Sequence, residues 1–283
     1  MQSESLLTRT KKLLASYDLR ARKGLGQNFL VDGSILKKII AAAELTPADT
    51  VIEVGPGLGV LTETLVEQAG KVIAIELDSN LADILKSHFS DSNKIAIINE
   101  DVLKVNPSDI LGKQTDYKVV ANLPYYITSA VIRHFLEASV KPGILVLMVQ
   151  KEVAKQITAQ PGEMSLLSVS VQLYGKPTIV SKVSAHCFYP APNVDSAILK
   201  IAVYPRAKAQ TDDIAGFFDI VRAGFSANRK QLPNSLANGL KVPKNDILPL
   251  LEKAGIDPQR RAETLTIDEW GVLYRAFKSN SHG

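Results

Sequence analysis

From about residue 35 to residue 205, short apolar runs alternate with amphipathic stretches. Val51-Ile52-Glu53-Val54, Val72-Ile73-Ala74-Ile75, Ile95-Ala96-Ile97-Ile98, Lys118-Val119-Val120-Ala121 and the run Ile144 to Val149 have the length and aliphatic content of strands covered on both faces. Between them, Leu58 to Gln68, Asn80 to Phe89 and about Ser129 to Glu137 carry helical spacing. Such alternation predicts an α/β fold with a mostly parallel sheet and helices on both sides. Thr178 to Val183 and Ala197 to Val203 read as two more strands with no clear crossover helix between them, so an antiparallel pair is expected at one sheet edge.

The pattern changes after Tyr204-Pro205. Ile214, Phe217, Phe218, Val221 and Phe225 fall at helical spacing behind a cap candidate, Thr211-Asp212. Ile247, Leu248, Leu250 and Leu251 suggest a second helix, and Trp270, Leu273, Tyr274 and Phe277 a third. No strand pattern appears here, so the chain reads as an α/β domain over 1–205 and a small all-helical domain over 206–283.

Charge sharpens this division. The formal net charge is +4 over 283 residues. Arg9, Lys11, Lys12, Arg20, Arg22 and Lys23 against Glu4 and Asp18 place the whole excess in the first 23 residues. A basic arm on a near-neutral body fits phosphate contact, and it equally fits a solvated basic helix. The single cysteine, Cys187, excludes an intrachain disulfide and a Cys-based zinc site, which points to an intracellular, cytoplasmic setting. No segment approaches the ~18 apolar residues of a membrane-spanning helix, and the N-terminus lacks the apolar core of a signal peptide. His88, His134, His186 and His282 make no metal or catalytic-triad spacing, so no metal site is expected.

Three strand ends carry candidate binding chemistry. Gly55-Pro56-Gly57-Leu58-Gly59 follows the first strand and opens a helix, and its glycines let a ligand approach the backbone. It is not the dinucleotide fingerprint, which would place glycine at Val60. Glu76 ends the second strand, where an acid accepts hydrogen bonds from ribose hydroxyls. Asp101 follows the third strand and would take an adenine amino group. Either acid alone fits a helix cap or a solvated loop. Both beside a glycine turn, at the carboxyl ends of adjacent strands, point to a nucleoside-containing cofactor.

Asn122-Leu123-Pro124-Tyr125 follows the fourth strand. An exocyclic amine is a poor nucleophile because its lone pair is delocalised into the ring. The Asn122 side-chain oxygen and a backbone carbonyl would hold the amine hydrogens and favour a tetrahedral nitrogen aimed at a methyl group. Pro124 stiffens the loop. Tyr125 would stack on a flipped-out base, an interaction worth roughly 1–3 kcal/mol. Phe188, opening Phe188-Tyr189-Pro190-Ala191-Pro192-Asn193-Val194-Asp195-Ser196, would close the other face of the base.

With these motifs in place, the chain resembles the ribosomal RNA adenine N(6)-dimethyltransferases almost end to end. Carrying the resemblance are Gly24-Leu25-Gly26-Gln27-Asn28-Phe29-Leu30, the glycine turn, Glu76, Asp101, Asn122 to Tyr125, and Phe188 to Ser196. Further on it rests on Phe225 with Asn228-Arg229-Lys230-Gln231-Leu232, Asn234-Ser235-Leu236, and Arg261-Ala262-Glu263-Thr264-Leu265. The resemblance implies a Rossmann-like methyltransferase sheet that uses S-adenosyl-L-methionine, with cofactor contacts by Asn28, Leu30, Gly55, Gly57, Glu76, Asp101 and Asn122. It implies base handling by Asn122, Leu123, Tyr125 and Phe188. It also implies dimethylation of two adjacent adenosines in the 3′-terminal hairpin loop of 16S rRNA, in the small ribosomal subunit, by a monomer linked to ribosome biogenesis. Asn228 and Pro233 depart from the family pattern, which bears on RNA contacts of the small domain. Alternatives are a large-subunit rRNA methyltransferase, which usually has isoleucine where Leu123 stands, and a DNA adenine methyltransferase. A cytosine C5 enzyme would need a cysteine after proline, whereas Cys187 follows His186. A non-catalytic, subunit-binding role is the alternative from another class.

Overall fold

The computed structural model describes residues 4–18, 26–209, 211, 213–227 and 229–280. They form two compact units. The first holds the described residues of Met1–Ala154 and Pro177–Val203, the second those of Lys155–Lys176 and Tyr204–Gly283. In chain order the elements are α1 (Leu6–Ser16), β1 (Phe29–Leu30), α2 (Gly33–Ala43), β2 (Thr50–Val54), α3 (Val60–Gln68), β3 (Lys71–Glu76), α4 (Ser79–His88), β4 (Ile95–Asn99), α5 (Pro107–Leu111), β5 (Lys118–Asn122), α6 (Thr128–Glu137) and β6 (Ile144–Gln150). There follow α7 (Lys151–Ile157), α8 (Leu166–Gln172), β7 (Gly175–Val183), β8 (Phe188–Tyr189), β9 (Ser196–Val203), α9 (Ile214–Gly224), α10 (Leu232–Leu240), α11 (Lys244–Lys253) and α12 (Ile267–Asn280).

The main sheet has the order β4-β3-β2-β5-β6-β9-β7. β2, β3, β4, β5 and β6 pair in parallel, and β9 runs antiparallel to β6. The expected α/β sheet, mostly parallel with an antiparallel edge region, is therefore present. The sequence explains the layering. β2 and the inner residues of β5 and β6 are buried on both faces, so they need continuous aliphatic runs. Ile39, Leu61 and Leu65 of the helices pack with Val51, Val72, Val120, Val146 and Ile198 of the strands in one core. β7, one of the two edge strands, instead alternates half-buried with exposed residues and carries Ser181 and Lys182, as an edge strand should.

The helix starts follow local chemistry. Asp32 accepts hydrogen bonds from the Ser34 and Ile35 amides to open α2, and Asp78 caps α4 through the Asn80 amide. Several elements carry no clear signal in the apolar pattern: α1, α2, α5, and the two-stranded antiparallel ladder of β1 with β8, in which Leu30 pairs with Phe188.

Within the second unit the structured elements are helical. Trp270 is fully buried, and Phe217 and Tyr274 pack edge to face. The cap of α9 is Asp213, which accepts from the Gly216 amide, one residue beyond the expected Thr211-Asp212; Asp212 lies outside the described residues. Residues 155–176 join this unit although the expected boundary lay at 205. Gln172 Nε2 donates to the carbonyls of Ile157 and Ala159, and the Gly162 and Met164 amides both donate to the Glu263 carbonyl. The Gly162-Glu163 loop is thus pinned to the Ala262-Glu263-Thr264 turn. That turn is itself braced. Arg260 pairs with Glu269 and donates to the Thr264 hydroxyl and carbonyl, while Thr266 and Glu269 cap one another at the start of α12. Pro233 occupies the first turn of α10, where a missing amide hydrogen costs nothing.

Candidate active site

Strand order reverses beside β2. The chain steps from β2 to β3 to β4 on one side, then crosses to β5 on the other. A crevice opens at such a switch point, beyond the carboxyl ends of the strands. Asn28, Leu30, Gly55, Gly57, Glu76, Asp101, Asn122, Leu123, Tyr125 and Phe188 all line this one cleft. Every site residue expected from the sequence is therefore brought together.

The β2 turn works through backbone. Gly55 and Gly57 both have left-handed φ, +67° and +60°. A Cβ on Gly57 would stand 3.2 Å from the Phe29 ring, so another residue there would strain the backbone and push on that ring. The Gly57 amide donates to Glu76 Oε2 at 3.0 Å, and the Asp78 amide to Glu76 Oε1 at 2.9 Å. These bonds fix the carboxylate at the end of β3. Burial raises the Glu76 pKa, and the two amides pull it back. Asp101 caps the short helical turn over Val102–Lys104 through the Leu103 amide, so one of its oxygens has a structural task.

In the sequence Glu53 stands out only as part of a strand. It lines the cleft floor at 1% exposure, and its Oε2 has no hydrogen-bond partner among the described residues. Burial pushes its pKa up to about 8; the nearby Thr62 hydroxyl opposes this from outside bonding geometry, and the Glu76 charge adds to it.

The β5 loop works through side chains. Asn122 Nδ2 donates one of its two hydrogens to the Asn28 carbonyl at 3.1 Å, which orients the amide, and Oδ1 has no partner among the described residues. Leu123 continues the ladder, its amide donating to the Met148 carbonyl at 3.3 Å. The Pro124 carbonyl accepts from the Ile127 amide and closes the turn. The Tyr125 hydroxyl meets Ser196 Oγ at 2.8 Å, and burial raises its pKa. Phe188 is 4% exposed and forms the wall next to Leu30 through the β1–β8 ladder. The serine closing the Phe188–Ser196 motif thus ties that motif to Asn122–Tyr125, a link the linear order hides.

The basic N-terminal segment divides differently from expectation. Arg9 makes a two-pronged ion pair with Glu63, whose Oε1 also meets His88 Nε2. Lys12 pairs with Glu4, and the Lys11 ammonium lies over the Tyr189 ring. Leu13 and Leu14 of α1 pack with Phe29, Leu58 and Leu81, three cleft residues. Helix α1 therefore helps build the cleft wall, and its three cations are engaged within the molecule. Arg20, Arg22 and Lys23 lie outside the described residues, as do Gly24, Leu25, Asn228 and His282.

A switch-point cleft with a glycine turn, an acid at the next strand end and an oriented amide on the far side defines a nucleoside-cofactor methyltransferase of the Rossmann-like class. The chain belongs to the ribosomal RNA adenine dimethylase family, whose profile matches residues 18–278; these are S-adenosylmethionine-dependent enzymes. It is 54% identical over 276 residues to ribosomal RNA small subunit methyltransferase A of Dehalococcoides mccartyi strain 195, covering 98% of this chain and 95% of the relative. Among solved structures it is similar to a dimethyladenosine transferase from Plasmodium falciparum, with TM-score 0.78, 29% identity, and coverage of 89% of this chain and 98% of that one. It is also similar to the 23S rRNA methyltransferase ErmE, with TM-score 0.71, 28% identity, and coverage of 89% and 100%.

The cleft suits the cofactor of this class. Left-handed glycines leave the space a Cβ would take, and a fixed carboxylate ends β3 beside aliphatic walls.

Proposed function

We propose that this protein dimethylates the exocyclic amines of two adjacent adenosines in the 3′-terminal hairpin loop of 16S rRNA, acting on a small-subunit precursor during ribosome biogenesis. The observation that carries the reading is the orientation of Asn122: its amide nitrogen is anchored by one hydrogen bond to the Asn28 carbonyl, and its oxygen, unengaged among the described residues, can accept from an amine. The Leu123 carbonyl is the second acceptor, because the Pro124 carbonyl already closes the loop. Together they hold both amine hydrogens and direct the nitrogen lone pair into the cleft. Tyr125, tethered through its hydroxyl, and Phe188 hold the flipped base between them.

Gly55 and Gly57 admit the methyl donor against backbone, Glu76 takes its ribose hydroxyls, and Asp101 its adenine amino group. Asn28 and Leu30 close the site from the β1 side. When bound, S-adenosylmethionine supplies a methyl group on a cationic sulfur. The residues contribute positioning and electrostatics, with no covalent enzyme intermediate. The enzyme acts as a cytoplasmic monomer, and the second unit contacts rRNA; the latter reading draws on its charge, 12 basic against 9 acidic residues over 206–283.

Two of the similar proteins part at the ribosomal subunit: the Dehalococcoides relative is named for the small subunit, ErmE for 23S rRNA. The identity to the former, 54% against 28%, favours the small subunit. Tritiated methyl transfer to both subunits from a dimethylation-deficient strain, followed by mapping of the modified nucleotides, tests this. Label confined to two adjacent adenosines of 16S rRNA is expected; label in 23S rRNA, or no affinity for the donor, overturns it.

A further inference from the structure

Consecutive tyrosines in the β5 loop meet opposite fates. Tyr125 is partly buried, with its hydroxyl tied to Ser196. Tyr126 lines the same cleft yet is 62% exposed, the highest value among the exposed large apolar side chains described. Its hydroxyl has no described partner. The ring lies beside Gly26, where a Cβ would stand 3.6 Å from its Cδ1 and Cε1. The turn beneath it is closed by the Ile127 amide on the Pro124 carbonyl. Leu77 and Leu103, also exposed, line the cleft as well. The cleft therefore has a polar floor at Glu53, Glu76 and Asn122, and exposed apolar side chains at its opening.

A packing role would bury the Tyr126 ring, and a hydrogen-bonding role would engage its hydroxyl; neither holds. A water-facing aromatic beside a pocket for one base suits stacking on a second. Extruding one adenine breaks the stack of its neighbour, and a protein ring at the pocket mouth restores that contact. We infer that Tyr126 is a second base platform, on which the nucleobase flanking the target adenine stacks while the target occupies the pocket. This rests on the proposed action on RNA adenines.

The test is tritiated methyl transfer by the full-length protein to small subunits from a dimethylation-deficient strain, with donor affinity measured by calorimetry. Tyr126→Ala is expected to raise the KM for subunits about 5- to 150-fold, as loss of one stacked base implies. Its kcat should fall by far less, and S-adenosylmethionine affinity should stay within twofold. Tyr126→Phe and Tyr126→Trp should restore the KM. A Tyr126→Ala KM within twofold of wild type overturns the platform, as does a parallel loss of donor affinity or failure of the phenylalanine variant to restore. If wild type itself transfers nothing to subunits, the rRNA reading falls and the platform with it. Active wild type with an indifferent Tyr126→Ala removes the platform alone.

Discussion

The turn after β2 and the loop after β5 flank the same switch point and solve different problems. The first grips with backbone: three left-handed glycines, an amide held by Glu76, and no functional side chain of its own. The second offers side chains: an oriented amide, a tethered phenol and an exposed ring on a turn stiffened by proline. A site made of backbone is sensitive to an added Cβ, through the left-handed φ at Gly55 and Gly57, whereas a site made of side chains is sensitive to a lost functional group. Binding and chemistry should therefore separate by location, the β2 side answering for the donor and the β5 side for the transfer.

Two substitutions break this contrast most directly. Asn122→Ala should lower methyl transfer to small subunits by about 10²–10³-fold, the usual scale for removing one positioned electrostatic contact. Its affinity for S-adenosylmethionine should move only a few-fold. Gly57→Ala should do the reverse in order, weakening the donor about tenfold or more. The new Cβ meets the Phe29 ring at a backbone φ of +60°, with a stability loss of about 1–3 kcal/mol. Calorimetric affinity and single-turnover transfer on both variants decide between them. Retained transfer in Asn122→Ala would remove the amide from the chemistry, and wild-type donor affinity in Gly57→Ala would reduce the turn to a chain reversal.

Glu53 sharpens the comparison from below, because a buried acid under the β2 turn links the site to pH. Its folded pKa of about 8 lies above the usual carboxylate value of 4.5. The folded protein thus holds a proton that the unfolded chain releases, and the Glu53 contribution to stability should fall as pH rises from about 5 to 8. Glu76, shifted in the same direction, adds to the fall. Glu53→Gln should remove on the order of 2–4 kcal/mol of it. Urea unfolding at pH 5 to 9 measures the slope, and an identical slope in wild type and variant would mean that Glu53 ionises freely in the fold.

The same contrast explains what the sequence discloses. Strands β2, β3, β5 and β6 are buried along nearly their whole length, so their aliphatic runs mark them in one dimension. The glycine turn, Glu76 and Asp101 are legible because strand ends recur at fixed places in the alternation. Asn28 and Leu30 are not, since their position depends on a two-residue ladder with Phe188, more than 150 residues away, and only family likeness points to them. Helix α1 reads as a basic arm because charge dominates it. Its contribution to the cleft comes from Leu13 and Leu14, and its Arg9 is committed to Glu63 across the fold. Residues 155–176 carry helical patterns that fit either unit. What ties them to the second unit is the pair of bonds from the Gly162 and Met164 amides to the Glu263 carbonyl and those from the Tyr204 and Lys208 amides to the Tyr174 and Leu173 carbonyls, which no local pattern encodes.

The smallest effect probes how the chemical side is held in shape. Ser196 is fully buried at the start of β9, and its hydroxyl meets that of Tyr125 at 2.8 Å. Ser196→Ala and Tyr125→Phe each delete one end of this bond and leave the other end unpaired, at a cost of about 1–3 kcal/mol in stability. The double variant should cost less than the two added together, by about 0.5–1.5 kcal/mol, because no orphaned hydroxyl remains. Transfer should follow the same pattern, each single variant losing several-fold in kcat/KM and the double little more. Strict additivity would mean the two hydroxyls act separately. Coupling would mean that the last residue of the Phe188–Ser196 motif sets the angle of the ring in Asn122–Tyr125, so the loop that acts through side chains borrows its rigidity from the antiparallel edge of the sheet.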